Sequence, residues 1–362
     1  MVKQEHIPVF YEGQDDLIEI LATSMASVCY TTKSFIDFYI LDCGICDFNK
    51  KLLEGMKDKF DNFSVTFLPI DLHQFKGLAG WGSQGITRDE ESPYYHLDCY
   101  SRLLIPELVP HLNKVIYLDS DMIALNDIQE LYNEDLENYE LGAACDIGCN
   151  DFFHSQLVNK MEVNEDQIYM NAGVLLIDAL KWREHNVTQN LLNIARKYKS
   201  EITVIIEDIL GKYYGDNNYK LLNNRYNLTD RTNEIEKFCP EISCEYLKNE
   251  WDNIVLQHLS PGKPWKTARN DYNGHYLKLF SNFWFFAQMT PFFEGMKLKF
   301  EEASVASYLS KEIRGALQNH SIHSKKIKVR FFSIPFLSIS KKKGKTVYKL
   351  FDFIPFLKIK DK

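Results

Sequence analysis

The first 180 residues alternate short, nearly continuous apolar runs with stretches whose apolar residues return every three or four positions. This alternation predicts an α/β sheet layered by helices. Ile7 to Tyr11 reads as the first strand. Asp16 to Val28 then sets Leu17, Ile20, Leu21, Ser24, Met25 and Val28 at helical spacing, and Phe35 to Leu41 returns to a buried strand, completing a β-α-β unit. Phe63 to Ile70 predicts a third strand, the glycine-rich stretch from Gly77 to Gly85 a loop, and Tyr94 to Leu108 a helix that stops before Pro110. Val115 to Leu118 is a short buried strand that ends at Asp119-Ser120-Asp121. Both carboxylates therefore fall at the carboxyl end of a strand, where open α/β sheets bind their ligands. Strands at Leu141 to Cys145 and Gly173 to Ile177, with helices near Gln189 to Tyr198 and Glu207 to Tyr213, continue the pattern.

From about residue 280 the pattern changes. Phe280, Phe283, Trp284, Phe285, Phe286, Phe292 and Phe293 form an aromatic cluster, and beyond it a nine-residue segment occurs twice, as FFSIPFLSI from Phe331 to Ile339 and FDFIPFLKI from Phe351 to Ile359. Two copies are too few for a solenoid. Pro335 and Pro355 interrupt any helix running through both copies, so two short elements are expected there. The organisation read from these changes is a domain over residues 1–280, a helical aromatic segment over 281–323 and a tail over 324–362.

Charge separates the same regions. After Ser324 twelve lysines and arginines face only Asp352 and Asp361, a net +10, which leaves −18 on the rest of a chain whose total is −8. An acidic body argues against nucleic acid as a partner, because phosphate binding requires a basic face. In the tail, apolar groups suited to the headgroup boundary are interleaved with lysines suited to anionic lipid, so an anionic membrane surface is the expected partner. No apolar run approaches the roughly 18 residues of a bilayer span, and Met1 to Glu5 lacks the order of a signal peptide. A cytoplasmic protein, peripheral on the cytoplasmic face of the membrane, is the expectation. Composition changes the picture little: 45% hydrophobic and 25% charged residues permit a sizeable core. Cys43 and Cys46 form a C-x-x-C pair, but no second such pair completes a zinc set, so reduced thiols are expected.

Candidate chemistry concentrates at Asp119 and Asp121. Hard carboxylate ligands after a buried strand suit Mg²⁺ or Mn²⁺, which neutralise phosphate oxygens. Phosphotransferases of the haloacid dehalogenase type also carry D-x-D after a strand, but close to the N-terminus and followed by x-Thr or x-Val; here Ile123 follows Met122, deep in the chain.

Four segments in order raise the specificity of this reading: Tyr100 to Leu103 (YSRL), Val115 to Met122 (VIYLDSDM), Tyr169 to Trp182 (YMNAGVLLIDALKW) and His258 to Trp265 (HLSPGKPW). Over roughly residues 7 to 270 the chain resembles glycosyltransferase family 8, which includes bacterial lipooligosaccharide galactosyltransferases and glycogenin. The resemblance implies a GT-A fold, a UDP-sugar donor, Mn²⁺ (or Mg²⁺) and transfer of a hexose, galactose or glucose, with retention of anomeric configuration. The implied acceptor is a saccharide or lipid-linked glycan, in lipopolysaccharide or other surface glycan synthesis. By position, Asp119, Asp121 and His258 would ligate the metal and Lys263 would touch the diphosphate. Phe10, Tyr11, Asp15, Arg102, Asp119, Ser120 and Asn171 would serve the donor, and Asp146 would face the acceptor. Glu207 and Asp208 occupy the family's catalytic segment.

Departures accompany the resemblance. Where the family usually reads D-Q-D-x-L-N, this chain reads Ile206-Glu207-Asp208-Ile209-Leu210-Gly211, so an acid stands where an amide lies near the anomeric carbon. The first-strand D-D-N appears as Gly13-Gln14-Asp15, and the spacing from His258 to Lys263 is one residue short. An enzyme is expected, with a descendant that binds a glycan or UDP without turnover as the alternative.

Overall fold

The computed structural model describes residues 6–82, 85–88, 96–147, 150–229, 253–260, 263–266, 274–318, 327–331, 334–342, 345–350 and 354–360. The chain divides into two compact units, Met1–Leu298 and Lys299–Lys362.

In the first unit the strands are β1 (His6–Gly13), β2 (Phe35–Asp42), β3 (Phe63–Pro69), β4 (Gly80–Gly82), β5 (Gly85–Thr87), β6 (Lys114–Leu118), β7 (Met122–Ala124), β8 (Leu141–Cys145), β9 (Met170–Asp178), β10 (Lys220–Leu222), β11 (Leu228–Thr229) and β12 (Leu256–His258). Seven of them form one sheet in the order β10-β8-β9-β6-β1-β2-β3. β1, β2, β3 and β6 run parallel, while β9 lies antiparallel to both β6 and β8. The apolar runs fill both faces, as a covered sheet requires. Ile7, Val9 and Tyr11 of β1 pack with Leu21, Met25 and Val28 of the helix Ile18–Thr31 on one face, and Phe10 joins Tyr117, Leu175 and Ile209 on the other.

Two local expectations give way to tighter structures. Of the expected helix Tyr94 to Leu108, Tyr94 and Tyr95 lie outside the described residues; Asp98–Leu104 is a 3₁₀ helix and only Ile105–Leu108 is α-helical. Three residues per turn set Cys99 and Arg102 on one edge, and the Arg102 side chain donates to the Cys99 carbonyl at 3.1 Å. The expected loop from Gly77 to Gly85 holds the ribbon β4–β5. The helix Gly274–Ala287 brings Phe283, Phe286 and Ala287 against Ile20, Ile123 and Leu259, so the aromatic cluster contributes to the core of the first unit.

The second unit takes in the end of the helix Phe293–Gln318 and a four-stranded antiparallel meander, β13 (Ile327–Phe331), β14 (Ile334–Lys342), β15 (Lys345–Leu350) and β16 (Ile354–Lys360). Each sequence copy supplies the second strand of an antiparallel pair, β14 beside β13 and β16 beside β15. Arg330 pairs Pro335 but Val329 pairs Leu337, and Lys349 pairs Pro355 but Tyr348 pairs Leu357, so each copy carries a bulge beside its proline, which has no N–H for the ladder. Ile327, Ile339, Tyr348 and Leu357 are partners across the four strands, as are Val329, Leu337, Leu350 and Ile354. Lys328, Ser338, Lys349 and Pro355 are partners in the same way, and so are Lys342, Lys345 and Lys360. Phe332, Phe351 and Phe353 of the repeats lie outside the described residues. No described helix is long and apolar enough to cross a membrane.

Candidate active site

β6 ends where the Asp119 N–H donates to the Gly173 carbonyl at 2.8 Å, and the Met122 N–H closes a turn onto the Asp119 carbonyl at 3.2 Å. The turn redirects the chain into β7, whose antiparallel partner β12 sets His258 opposite Met122. Two carboxylates from one turn and an imidazole from a strand more than 130 residues later thereby converge. Asp119, Asp121 and His258 each offer a ligand atom, and these atoms lie within 4.8 Å of one another.

Hydrogen bonds fix the imidazole. His258 Nδ1 lies 3.0 Å from Asn227 Oδ1, and because an amide oxygen only accepts, Nδ1 carries the hydrogen. Nε2 is then turned toward Asp121 Oδ1 at 3.3 Å. Asn227 Nδ2 donates to Asn171 Oδ1 at 2.8 Å, and Asn171 Nδ2 donates to Asp146 Oδ2 at 3.0 Å, so one chain of contacts runs from Asp146 to the metal-ligand cluster. Gly173 makes the close approach possible: a Cβ there would lie 2.6 Å from the His258 ring. Burial works against a charge on His258, but the neighbouring Asp121 outweighs it and moves the imidazole upward. Burial likewise pushes against an ionised Asp121, yet His258 and Lys263 hold that carboxyl well below the usual range. A cation and a proton therefore compete for Nε2. The donor set of two carboxylates and one oriented imidazole fits a divalent cation.

Asp119 is oriented from behind. Its Oδ1 accepts from the Tyr117 hydroxyl at 2.7 Å and pairs with Arg102 Nη1 at 3.0 Å. The Arg102 guanidinium lies 4.4 Å from the Tyr117 ring centroid, donates to the Ala172 carbonyl at 3.2 Å, and reaches Glu12 at 3.4 Å. Burial, reinforced by Asp98, pushes the Glu12 carboxyl well up. Lys263 is ion-paired with Asp121.

Two cavities meet at this cluster. A smaller one of about 270 Å³ is lined by Glu12, Leu17, Ile20, Tyr117, Ser120 and Trp265. A larger one of about 730 Å³ is lined by Trp81, Asp146, Tyr169, Asn171, Glu207 and His258. Arg102, Asp119, Asp121, Lys263 and Lys266 line both. Glu207 Oε1 accepts from the Ala172 N–H at 3.4 Å, and burial pushes its carboxyl up to about 7 against the pull of Arg102.

Other expected residues lie elsewhere. The Phe10 and Tyr11 side chains are fully buried, Phe10 stacked on Tyr39 with ring centroids 4.7 Å apart and Tyr11 hydrogen-bonded to Ser24 at 2.8 Å. Alternation along β1 sends both into the core, so only their backbone is available at the strand end. Asp15 accepts from the Cys46 N–H at 3.0 Å and from Asn49 at 2.9 Å, at the start of the helix Asp47–Glu54. Asp208 is buried, and accepts from the N–H groups of Thr203 and Val204 at 2.6 and 2.9 Å and from the Tyr169 hydroxyl at 3.0 Å. Its carboxylate is occupied by the start of its own helix and lines neither cavity. Sequence reasoning missed Asn227, Glu12 and Tyr117. Tyr117 was within reach, lying two residues before Asp119 on the same strand face, whereas Asn227 and Glu12 carry no local signal.

The Glycosyl transferase family 8 model matches residues 8–269. The chain belongs to glycosyltransferase family 8. Its curated family relatives include a protein of Haemophilus influenzae named as a candidate glycosyltransferase, 30% identical over 70% of this chain and 72% of the relative. Glycosyltransferase GlyF of Streptococcus pneumoniae is 29% identical over 68% of this chain and 54% of its own, so this chain spans little more than half of that family member. Among solved structures, galactosyltransferase LgtC in complex with donor and acceptor sugar analogs matches with a TM-score of 0.61 at 21% identity, over 79% of this chain and 96% of that one. The bifunctional glycosyltransferase WbbM matches with a TM-score of 0.65 at 19% identity, over 83% and 53%. A further LgtC structure, with a TM-score of 0.60 at 21% identity over 76% of this chain and 95% of that one, is of an active-site variant in which glutamate replaces glutamine. These likenesses place the first unit in the GT-A fold of the family.

Proposed function

We propose that this family 8 chain transfers a hexose, galactose or glucose, from a UDP-sugar to a saccharide acceptor with retention of configuration. The observation that carries the reading is the position of the metal-ligand cluster where two cavities meet. A nucleotide sugar is two bulky groups joined by a diphosphate. The smaller cavity, with Leu17, Ile20 and Trp265, suits the nucleoside; the shared edge, with Lys263, Lys266 and Arg102, suits the diphosphate; the larger polar cavity suits the hexose and acceptor.

Asp119, Asp121 and His258 would hold a divalent ion, Mn²⁺ or Mg²⁺, which supplies charge neutralisation for the leaving diphosphate. Lys263 and Lys266 add positive charge along the same edge. The bond from the anomeric carbon to the diphosphate breaks, the acceptor oxygen bonds to that carbon from the same face, and the acceptor proton passes to a departing phosphate oxygen. Asp146, anchored by Asn171, accepts from sugar hydroxyls, and Glu207 lies beside the reacting centre as nucleophile or as electrostatic stabiliser. LgtC has been made with a glutamate in place of an active-site glutamine; in this chain the family resemblance sets Glu207 where an amide is expected. We further assign the basic tail to the cytoplasmic face of an anionic membrane, where a lipid-linked acceptor of surface glycan synthesis is found. The interleaving of lysines with aromatic and aliphatic residues in the two repeated segments supports this.

Release of UDP from a panel of UDP-sugars, with and without Mn²⁺, tests the reaction. Asp119→Ala and Asp121→Ala are each expected to lower turnover at least a thousandfold, the order of losing metal-assisted charge stabilisation, while the protein stays folded. Full activity in either variant, or in excess chelator, removes the metal from the account. Retained UDP binding without release from any UDP-sugar leaves only a binding protein.

A further inference from the structure

We propose that Trp81 is the platform on which the acceptor lies, and that the acceptor is a pyranoside presenting a hydrocarbon face. The inference rests on the reading of the larger cavity as the place of sugar transfer. Trp81 lines that cavity together with Asp146, Tyr169, Asn171 and Glu207. It is 38% exposed, whereas Asp146, Tyr169 and Asn171 on the same cavity are each below 10%. The donor hexose, tethered to a diphosphate at the shared edge, stays close to that edge, and the acceptor arrives from the open side where the indole stands.

The indole is held for such a task. Trp81 pairs with Ile86 across the ribbon, and on its other side exchanges two backbone hydrogen bonds with His96, both 2.9 Å. Neighbours Gly80 and Gly82 put no side chain beside it. Among the large hydrophobic side chains exposed on the described residues, Trp81 alone lines this cavity. An aromatic face is electron-rich, and a pyranose ring offers a face of weakly positive C–H groups, so the two stack while the sugar hydroxyls at the rim meet polar partners. Asp146 and Glu207 supply acceptors for those hydroxyls. A peptide hydroxyl has no ring to lay on the indole.

The test uses the full chain, the UDP-hexose that it turns over, and methyl β-galactoside, lactose and cellobiose as acceptors. Trp81→Ala is expected to raise the acceptor KM about tenfold, the size of one aromatic stacking contact, with the KM for the sugar nucleotide moving less than about twofold. Trp81→Phe, which keeps a smaller aromatic face, recovers most of the loss. An unchanged acceptor KM in Trp81→Ala overturns the proposal, and so does a donor KM that rises in step. If the wild-type chain turns over no UDP-sugar, the functional reading fails separately, and lactose binding followed by saturation-transfer NMR decides on Trp81. Signal in the wild type that is lost in Trp81→Ala supports the platform; no signal, or equal signal in both, overturns it.

Discussion

Glu207 brings a carboxyl to a wall where an amide is the family's usual group. Burial withholds water from its charged form more than Arg102 restores, so its proton comes off at about 7. Near neutrality the residue is shared between acid and carboxylate. Either role proposed for it, nucleophile or stabiliser of positive charge at the anomeric carbon, requires the carboxylate. Because protonation abolishes that form, the rate should rise about tenfold per pH unit below 7 and level off above it. Glu207→Gln removes the titrating group, and at pH 8 it should lose about a hundredfold in rate together with the acid limb of the profile. A variant with the wild-type rate and the same limb would reduce Glu207 to part of the wall. Asp119, at the edge shared by the two cavities, is held in place by Arg102 and the Tyr117 hydroxyl.

Helix starts show how one sequence signal serves two ends. Asp208 lies in the first turn of the helix Ile205–Tyr213, where an acidic residue interacts favourably with the helix dipole and with free N–H groups. Its carboxylate reaches back to Thr203 and Val204 and leaves Glu207, one residue earlier, to line the cavity. Asp208→Ala should therefore cost about 1–2 kcal/mol of stability, the order of a lost cap, read from urea unfolding. Asp208→Asn, which keeps one oxygen, should cost less. Unchanged unfolding in Asp208→Ala with turnover abolished would return Asp208 to the chemistry. The 3₁₀ helix Asp98–Leu104 is the other element that matters to the site, since its tight turn places Cys99 and Arg102 on the same cavity.

At the scale of the whole molecule the chain joins an acidic catalytic unit to a basic meander. Each lysine near an anionic surface contributes roughly 1 kcal/mol, and apolar side chains that enter the headgroup boundary add to it. Truncation after Ser324 is expected to abolish flotation with anionic vesicles while leaving turnover on a soluble acceptor intact. The sheet and helices that carry the candidate site lie before Leu298. Flotation of the truncated protein, or indifference of the intact one to anionic lipid at low salt, assigns the tail a structural role instead.

The sequence by itself determined the alternating layers and the strand ending at Asp119 and Asp121, which rest on short-range pattern. That His258, Lys263, Arg102 and Asn171 would share a site was implied by the family resemblance of segments far apart in the chain, and all four line the larger cavity. The sequence also announced the repeat in the tail, though not that each copy would pair as a strand with the residues before it, because strand pairing is settled by partners rather than by proline alone. Tertiary structure decided the rest. Tyr11 and Phe10 turned into the core because the pleat of β1 leaves them no other direction, and Asp208 turned to its own helix. Asn227 entered the site only because β11 and β12 run side by side, bringing its amide to the His258 ring. Glu12 met Arg102 only because the 3₁₀ helix packs on β1, across 90 residues of chain. A hydrogen bond is a short-range, directional contact, and which groups come within its reach depends on the packing of elements far apart in sequence.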